Sequence, residues 1–166
     1  NKMHGQRLMR RSRQQLSEEE AIALLDHATS GVLSLVDDSG CPYGVPISHV
    51  YSNRKLYFHS ALSGHKLDAI RHCDRASFTV ICQDEVHPEV FTTYFRSVIC
   101  FGRVRIVEDP DEKLSALRLL GKRFNPDDEP ALAAEIKSGF NRVAVIEFSI
   151  EWLTGKEAIE LVRKEK

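Results

Sequence analysis

The sequence has no apolar run near the roughly 20 residues that a helix needs to cross a bilayer. No secretory leader pattern is visible. Charge of one sign is also lacking: 23 basic and 24 acidic side chains leave a formal net charge of −1. That balance argues against a strong nonspecific attraction to nucleic acid or a membrane surface. Cysteine is sparse, and none of Cys41, Cys73, Cys82 and Cys100 falls in a C-x-x-C pair. Two of them lie in apolar, strand-like runs. Reduced structural thiols in a cytoplasmic protein fit this better than a disulfide frame or a zinc site. His49, His59, His65, His72 and His87 are scattered, with no H-x-H, H-x-x-x-H or H-E-x-x-H, so no metal site is expected. No G-x-G-x-x-G follows a strand, which excludes a dedicated dinucleotide domain.

What is present centres on Pro42 to Lys66. The run P-Y-G-V-P-I-S-H-V-Y, the polar S-N-R-K and the run L-Y-F-H-S-A-L-S-G-H-K read as a β-hairpin. Strand alternation puts Tyr43, Val45, Ile47, His49 and Tyr51 on one face, and Gly44, Pro46, Ser48 and Val50 on the other. Pro46 has no N–H to donate and suits an edge strand or a bulge. Its small-residue face leaves room for a flat ligand against the backbone. After the second run, Leu67 to Arg71 looks helical, with Ser63 as its N-cap. A helix start presents free N–H groups, and His65 and Lys66 add donors or charge, so this segment suits an anion such as a phosphate monoester.

The 166 residues suit one domain. Residues 1–15 read as a flexible arm carrying Arg7, Arg10, Arg11 and Arg13, residues 16–157 as the domain, and 158–166 as a tail. Ser17 and Glu20 form a capping box before a helix with the stripe Ile22, Leu24, Leu25, Ala28. Ser30-Gly31 ends that helix, and Val32 to Val36 is a strand. Asp37 to Gly40 is turn chemistry. Ala76 to Cys82 is strand-like, with Phe78, Val80 and Cys82 on one face, and Gln83 to Val90 reads as a loop. Phe91 to Val107 is the longest β run. Gly102 marks a bulge or bend in it, Val98, Cys100, Val104 and Ile106 share a face, and Arg103 and Arg105 face solvent. Asp109-Pro110 starts a helix whose stripe is Leu114, Leu117, Leu120 and Phe124. A second helix spans about Glu129 to Ser138, a final strand spans Arg142 to Leu153, and Thr154-Gly155-Lys156 begins a polar tail. The sum is an α+β chain, mainly β: a six-stranded antiparallel sheet curling toward a barrel, with four flanking helices.

In order and spacing, P-Y-G-V-P, L-Y-F-H-S-A-L-S-G-H-K, Y-F-R-S-V-I-C-F-G-R-V-R-I-V-E-D and V-A-V-I-E-F-S-I-E-W-L-T-G-K-E resemble the pyridoxamine 5'-phosphate oxidase-like flavoproteins. The branch is the one related to Nim-type nitroimidazole reductases, and the resemblance covers about Leu16 to Glu157. It implies a split β-barrel homodimer binding one FMN per subunit in clefts at the dimer interface. It implies that Pro46, Ile47 and Ser48 line the isoalloxazine ring. His59, Ser60, Ser63, Gly64, His65 and Lys66 would bind the phosphate end, with Arg96 and Ser97 beside the cofactor. The segment Thr154, Gly155, Lys156 would close the site. His59 falls where Nim-type reductases place a histidine beside the flavin, which makes it a candidate proton donor; the other role is a buried histidine whose hydrogen bond holds the hairpin end. Relatives often carry tryptophan directly before S/T-G-K. Here Leu153 holds that place and Trp152 lies one earlier. The arginine-rich substrate contacts of the vitamin B6 oxidases have no match here, so that reaction is not expected.

The first functional expectation is therefore a flavin-dependent reductase. Reduced nicotinamide, NADH or NADPH, or another donor would charge the FMN, and a small planar aromatic acceptor would discharge it. The alternative is a non-catalytic store or sensor of the same fold holding flavin or heme, which the scattered histidines keep open. A metal-dependent or purely structural protein is the third class and has the least support.

Overall fold

The computed structural model describes residues 6–162, so residues 1–5 of the expected arm (1–15) and 163–166 of the expected tail (158–166) lie outside the described residues. Among the described residues seven strands, one more than expected, form a single antiparallel sheet. They are β1 (Ser30–Val36), β2 (Pro42–Ser48), β3 (Val50–Ser52), β4 (Lys55–Ser60), β5 (Arg75–His87), β6 (Thr92–Ile106) and β7 (Ala144–Glu157). Their spatial order is β2-β1-β5-β6-β7-β4-β3. The helices are α1 (Glu18–His27), α2 (His65–His72), α3 (Pro110–Phe124), α4 (Glu129–Gly139) and α5 (Ile159–Val162). No helix among the described residues is long and apolar enough to cross a membrane.

The expected hairpin over Pro42 to Lys66 is two separate structures. β2 pairs with β1, Pro46 lying opposite Val32, while β3 pairs with β4 around a tight turn at Asn53 and Arg54. Both turn residues have positive φ, 47° and 62°, the left-handed geometry of a two-residue hairpin turn. Between Ser48 and Val50 the chain passes from one edge of the sheet to the other. His49 is the pivot. It is fully buried, its backbone N–H donates to the Thr29 carbonyl at 3.2 Å, and its Nε2 lies 2.9 Å from the Leu25 carbonyl, to which it donates. The two edges converge there without a hydrogen-bonded seam, so the barrel is split. Pro46 does sit on an edge strand, as its missing N–H requires.

The inward faces follow the expected alternation. Leu33, Leu35, Val45, Phe78, Val80 and Val98 are buried, and α1 and α2 plug the barrel with Ala21, Leu25, Leu67 and Ile70. Phe58, Phe78 and Phe148 are fully buried. Each contributes on the order of 1.5–3 kcal/mol by leaving water. The register of β6 against β7 shifts at Phe101/Gly102, the bulge expected at Gly102. A Cβ there would lie 1.9 Å from the Ser149 carbonyl oxygen, so only glycine lets the two backbones meet. The capping box of α1 forms in both directions, and Asp109 caps α3 through the Glu112 N–H.

Several expectations are corrected. The N-cap of α2 is Gly64, at φ 135°, and not Ser63, whose side chain makes no cap bond. Gln83 to His87 continues β5 as one arm of a long hairpin with β6; the acidic residues there are solvated strand positions. Leu114 and Phe124 are 40% and 52% exposed, because α3 packs through Ala116 and Leu120 instead. Thr154-Gly155-Lys156 is no tail: it pairs with β6, Lys156 opposite Ser97.

Candidate functional site

Where the two sheet edges converge, Pro46, Ile47, Ser48, Ser30 and His59 line an open groove of about 440 Å³. The strands create it directly. Val45 of β2 points inward, so Pro46 and Ser48 point out, and Ser30 lies opposite Ser48 on β1. His59, near the end of β4, closes the other side. Its imidazole is exposed, and neither ring nitrogen has a hydrogen-bond partner among the described residues. The groove thus offers a flat edge of backbone with small side chains and one available imidazole. Ser30 was not anticipated, because Ser30-Gly31 reads as a helix stop; its pairing with Ser48 depends on the register.

The segment after His59 leads away along the outside. The Ser60 hydroxyl donates to the Ala61 carbonyl at 2.9 Å. Ser63 and Gly64 are exposed and Lys66 is half-buried, with no ion pair to Lys66 among the described residues. His65 is engaged: its ring stacks on Tyr43 at 4.0 Å between centroids, and Nε2 lies 3.1 Å from Asp37 Oδ2. Asp37 also accepts from the Ser39 hydroxyl at 2.6 Å and from the backbone N–H groups of Ser39 and Cys41 at 2.9 Å. The Ser39 hydroxyl, then the Cys41 amide, hold its carboxyl down at about 2. His65 therefore pins the start of α2 to the β1–β2 turn. The partner Asp37 was read only as turn chemistry, since nothing local links it to a residue 28 positions away.

Arg96, Ser97 and Lys156 come together on β6 and β7. Arg96 Nε donates to Glu157 at 3.1 Å and Nη1 to Gln83 at 3.0 Å. Lys156 lies across from Ser97, with its ammonium 5.6 Å from the Phe95 ring centroid. These residues do not meet the groove within one chain. One row of partners, Pro46–Val32–Thr79–Ile99–Thr154, crosses β2, β1, β5, β6 and β7. At strand spacings of about 4.8 Å it spans roughly 19 Å. The outward face along and beside it is apolar for a surface: Val32, Ile81 and Ile99 are exposed, and Phe101 stacks on Trp152 at 4.8 Å. The N-terminal segment reaches this face too. Arg7 and Met9 line a hollow with Phe101, Trp152 and Thr154, and the Leu16 N–H donates to the Gly155 carbonyl at 2.9 Å.

Among the described residues no three His, Cys, Asp or Glu side chains are placed to hold a metal. The cysteines are free, and burial pushes the Cys100 thiol up to about 12.

The fold recurs in known structures. A FAD-binding protein from Mesorhizobium loti is 25% identical, with a TM-score of 0.60 over 87% of this chain and 96% of that one. A FAD and heme binding protein from Mycobacterium smegmatis is 24% identical, with a TM-score of 0.76 over 88% of this chain and 74% of that one. A protein named for a candidate role in 5-nitroimidazole antibiotic resistance, from Bacteroides thetaiotaomicron, is 23% identical, with a TM-score of 0.70 over 86% of each chain. No curated protein matches the sequence. The model of the family described as pyridoxamine 5'-phosphate oxidase matches residues 17–157, nearly the whole barrel, and the chain belongs to that family.

Proposed function

We propose that this chain is an FMN-binding oxidoreductase that works as a homodimer and reduces a small planar acceptor. The observation that carries the reading is the groove at the split in the barrel, where an edge strand without bulky outward side chains faces the available imidazole of His59. Its volume and its Pro46–Ser48 wall suit a flat fused ring. The Ser60–Lys66 segment leads from it toward the start of α2, where Lys66 and the hydroxyls of Ser60 and Ser63 suit a phosphate. His65, held by Asp37 and Tyr43, keeps that segment in place.

Bound FMN would supply the hydride and electron transfer, charged by NADH or NADPH or another donor. The protein supplies position and exclusion of water, and His59 holds a proton at the groove's edge. The roughly 19 Å between Pro46 and Thr154 along the sheet is why we assign Ser97, Thr154 and Lys156 to the partner copy's flavin. Two outward faces packed together bury Val32, Ile81 and Ile99 and bring one copy's β6–β7 residues to the other's groove.

Titration of the purified protein with FMN, followed in the visible, tests the reading. A saturable two-band flavin spectrum that NADH or NADPH bleaches in stopped flow supports it. A Soret band with no flavin uptake would favour the heme-holding alternative.

A further inference from the structure

His59 faces a second space. α3 and α4 lie against the end of β4, and between them is a cavity of about 190 Å³. Leu120 and Phe124 come from α3, Leu132 and Ile136 from α4, with Phe140 and Val143 beyond. Among the described residues, the side chains with ionisable groups on its wall are His59 and Glu135. The helices are joined by the Arg118–Glu129 ion pair and pack closely at Gly121, where a Cβ would lie 2.0 Å from Leu132 Cδ1. That contact seats Leu132 against α3 and sets the spacing of the two helices around the void.

We propose that this cavity binds a neutral, single-ring apolar molecule whose polar substituent meets His59. Size sets the first limit. An apolar cavity of about 150 Å³ lined by Leu, Ile and Phe stays dry and takes benzene, so this one accommodates one ring with a small substituent. The groove, at about 440 Å³, is the larger space and the one left to a fused three-ring system. Charge sets the second limit. A carboxylate ligand would lose hydration against a largely apolar wall beside the exposed Glu135, whereas a neutral ring gains by leaving water and its substituent can bond His59. The third observation is the shared wall. His59 lines both the groove and the cavity, and its ring nitrogens have no other partner among the described residues. A ligand here would place its polar end at the boundary between the two spaces. That the ligand is the acceptor rests on the flavin reading of the groove; that the cavity takes such a ligand does not.

The test uses the full chain, with and without FMN, and three probes: toluene, p-cresol and benzoate. Methyl and histidine resonances are followed by NMR, His59 being assigned through His59→Gln. Toluene and p-cresol should shift the Leu120 and Leu132 methyls saturably, and p-cresol should also move the His59 ring signals. Benzoate should bind at least about tenfold more weakly. Leu132→Trp, or Ile136→Phe if the first variant does not fold, should abolish probe binding and leave FMN uptake unchanged. Absence of saturable shifts in the wild-type methyls would overturn the proposal. So would benzoate binding as well as toluene, or loss of FMN uptake in a folded cavity-filling variant, which would give the space to the cofactor. Failure of the flavin reading looks different: the wild-type chain would take up no FMN whatever the probes do.

Discussion

Removal of one cation tests the phosphate end of the proposed site. Lys66 is half-buried, lies just inside α2, and has no ion pair among the described residues. Its neighbour His65 already stacks on Tyr43 and bonds Asp37, so Lys66 is the charged side chain left to meet a phosphate. A hydrogen bond to a charged group is worth about 1.5–3 kcal/mol. Lys66→Ala should therefore weaken FMN binding roughly 10- to 150-fold. Partial exposure and salt place the effect in the lower half of that range at physiological ionic strength. The assay is quenching of FMN fluorescence on titration, at low and at high salt. The wild-type affinity should fall with salt and the variant's should fall less. Because Lys66 has no partner among the described residues, the melting temperature without flavin should hardly move. Equal affinities and equal salt slopes for the two proteins would refute the contact.

Other outcomes follow from the same geometry. Ile99→Glu puts a carboxylate in the middle of the outward apolar face, and sedimentation should show monomers that have also lost FMN affinity; an intact dimer would refute that interface. Gly102→Ala forces a Cβ to within 1.9 Å of the Ser149 carbonyl oxygen, and should cost at least about 2 kcal/mol in urea unfolding; a change under about 0.5 would mean the bulge relaxes freely. Burial holds His49 below its ordinary 6.5, so the native state keeps it neutral while the unfolded chain takes up a proton. Stability should therefore fall as pH drops below about 6.5, by up to about 1.4 kcal/mol per pH unit, and His49→Gln should remove that component. A slope unchanged in the variant would refute the assignment to His49.

Much of the architecture was legible because strands written with period two declare their inward face. Phe78, Val80, Val98 and Cys100 are buried as the alternation requires. Gly102 in an otherwise apolar run announced its bulge. The break after Ser48 was harder to see, since no glycine or proline marks it and the alternation runs on through His49. Two consecutive buried residues, His49 and Val50, are the only trace of the change of strand. The edge to which each strand goes is a property of the whole sheet. Gln83 to His87 and Thr154 to Lys156 looked like loop and tail because their outward positions carry polar residues. On a face that can be covered or solvated, polarity does not exclude a strand. The groove residues Pro46, Ile47, Ser48 and His59 were named from local chemistry and family resemblance, and the fold brings them together. Ser30, Asp37 and the α3–α4 cavity were not, because each depends on contacts between distant parts of the chain.

The most direct measurement of the central claim is the FMN titration of the wild-type chain by visible absorbance and sedimentation together. Saturation should come at one FMN per chain, carried by a dimer, with the two-band spectrum of a bound flavin. A chain that stays colourless at every FMN concentration, or a monomer that binds flavin as tightly, would contradict it.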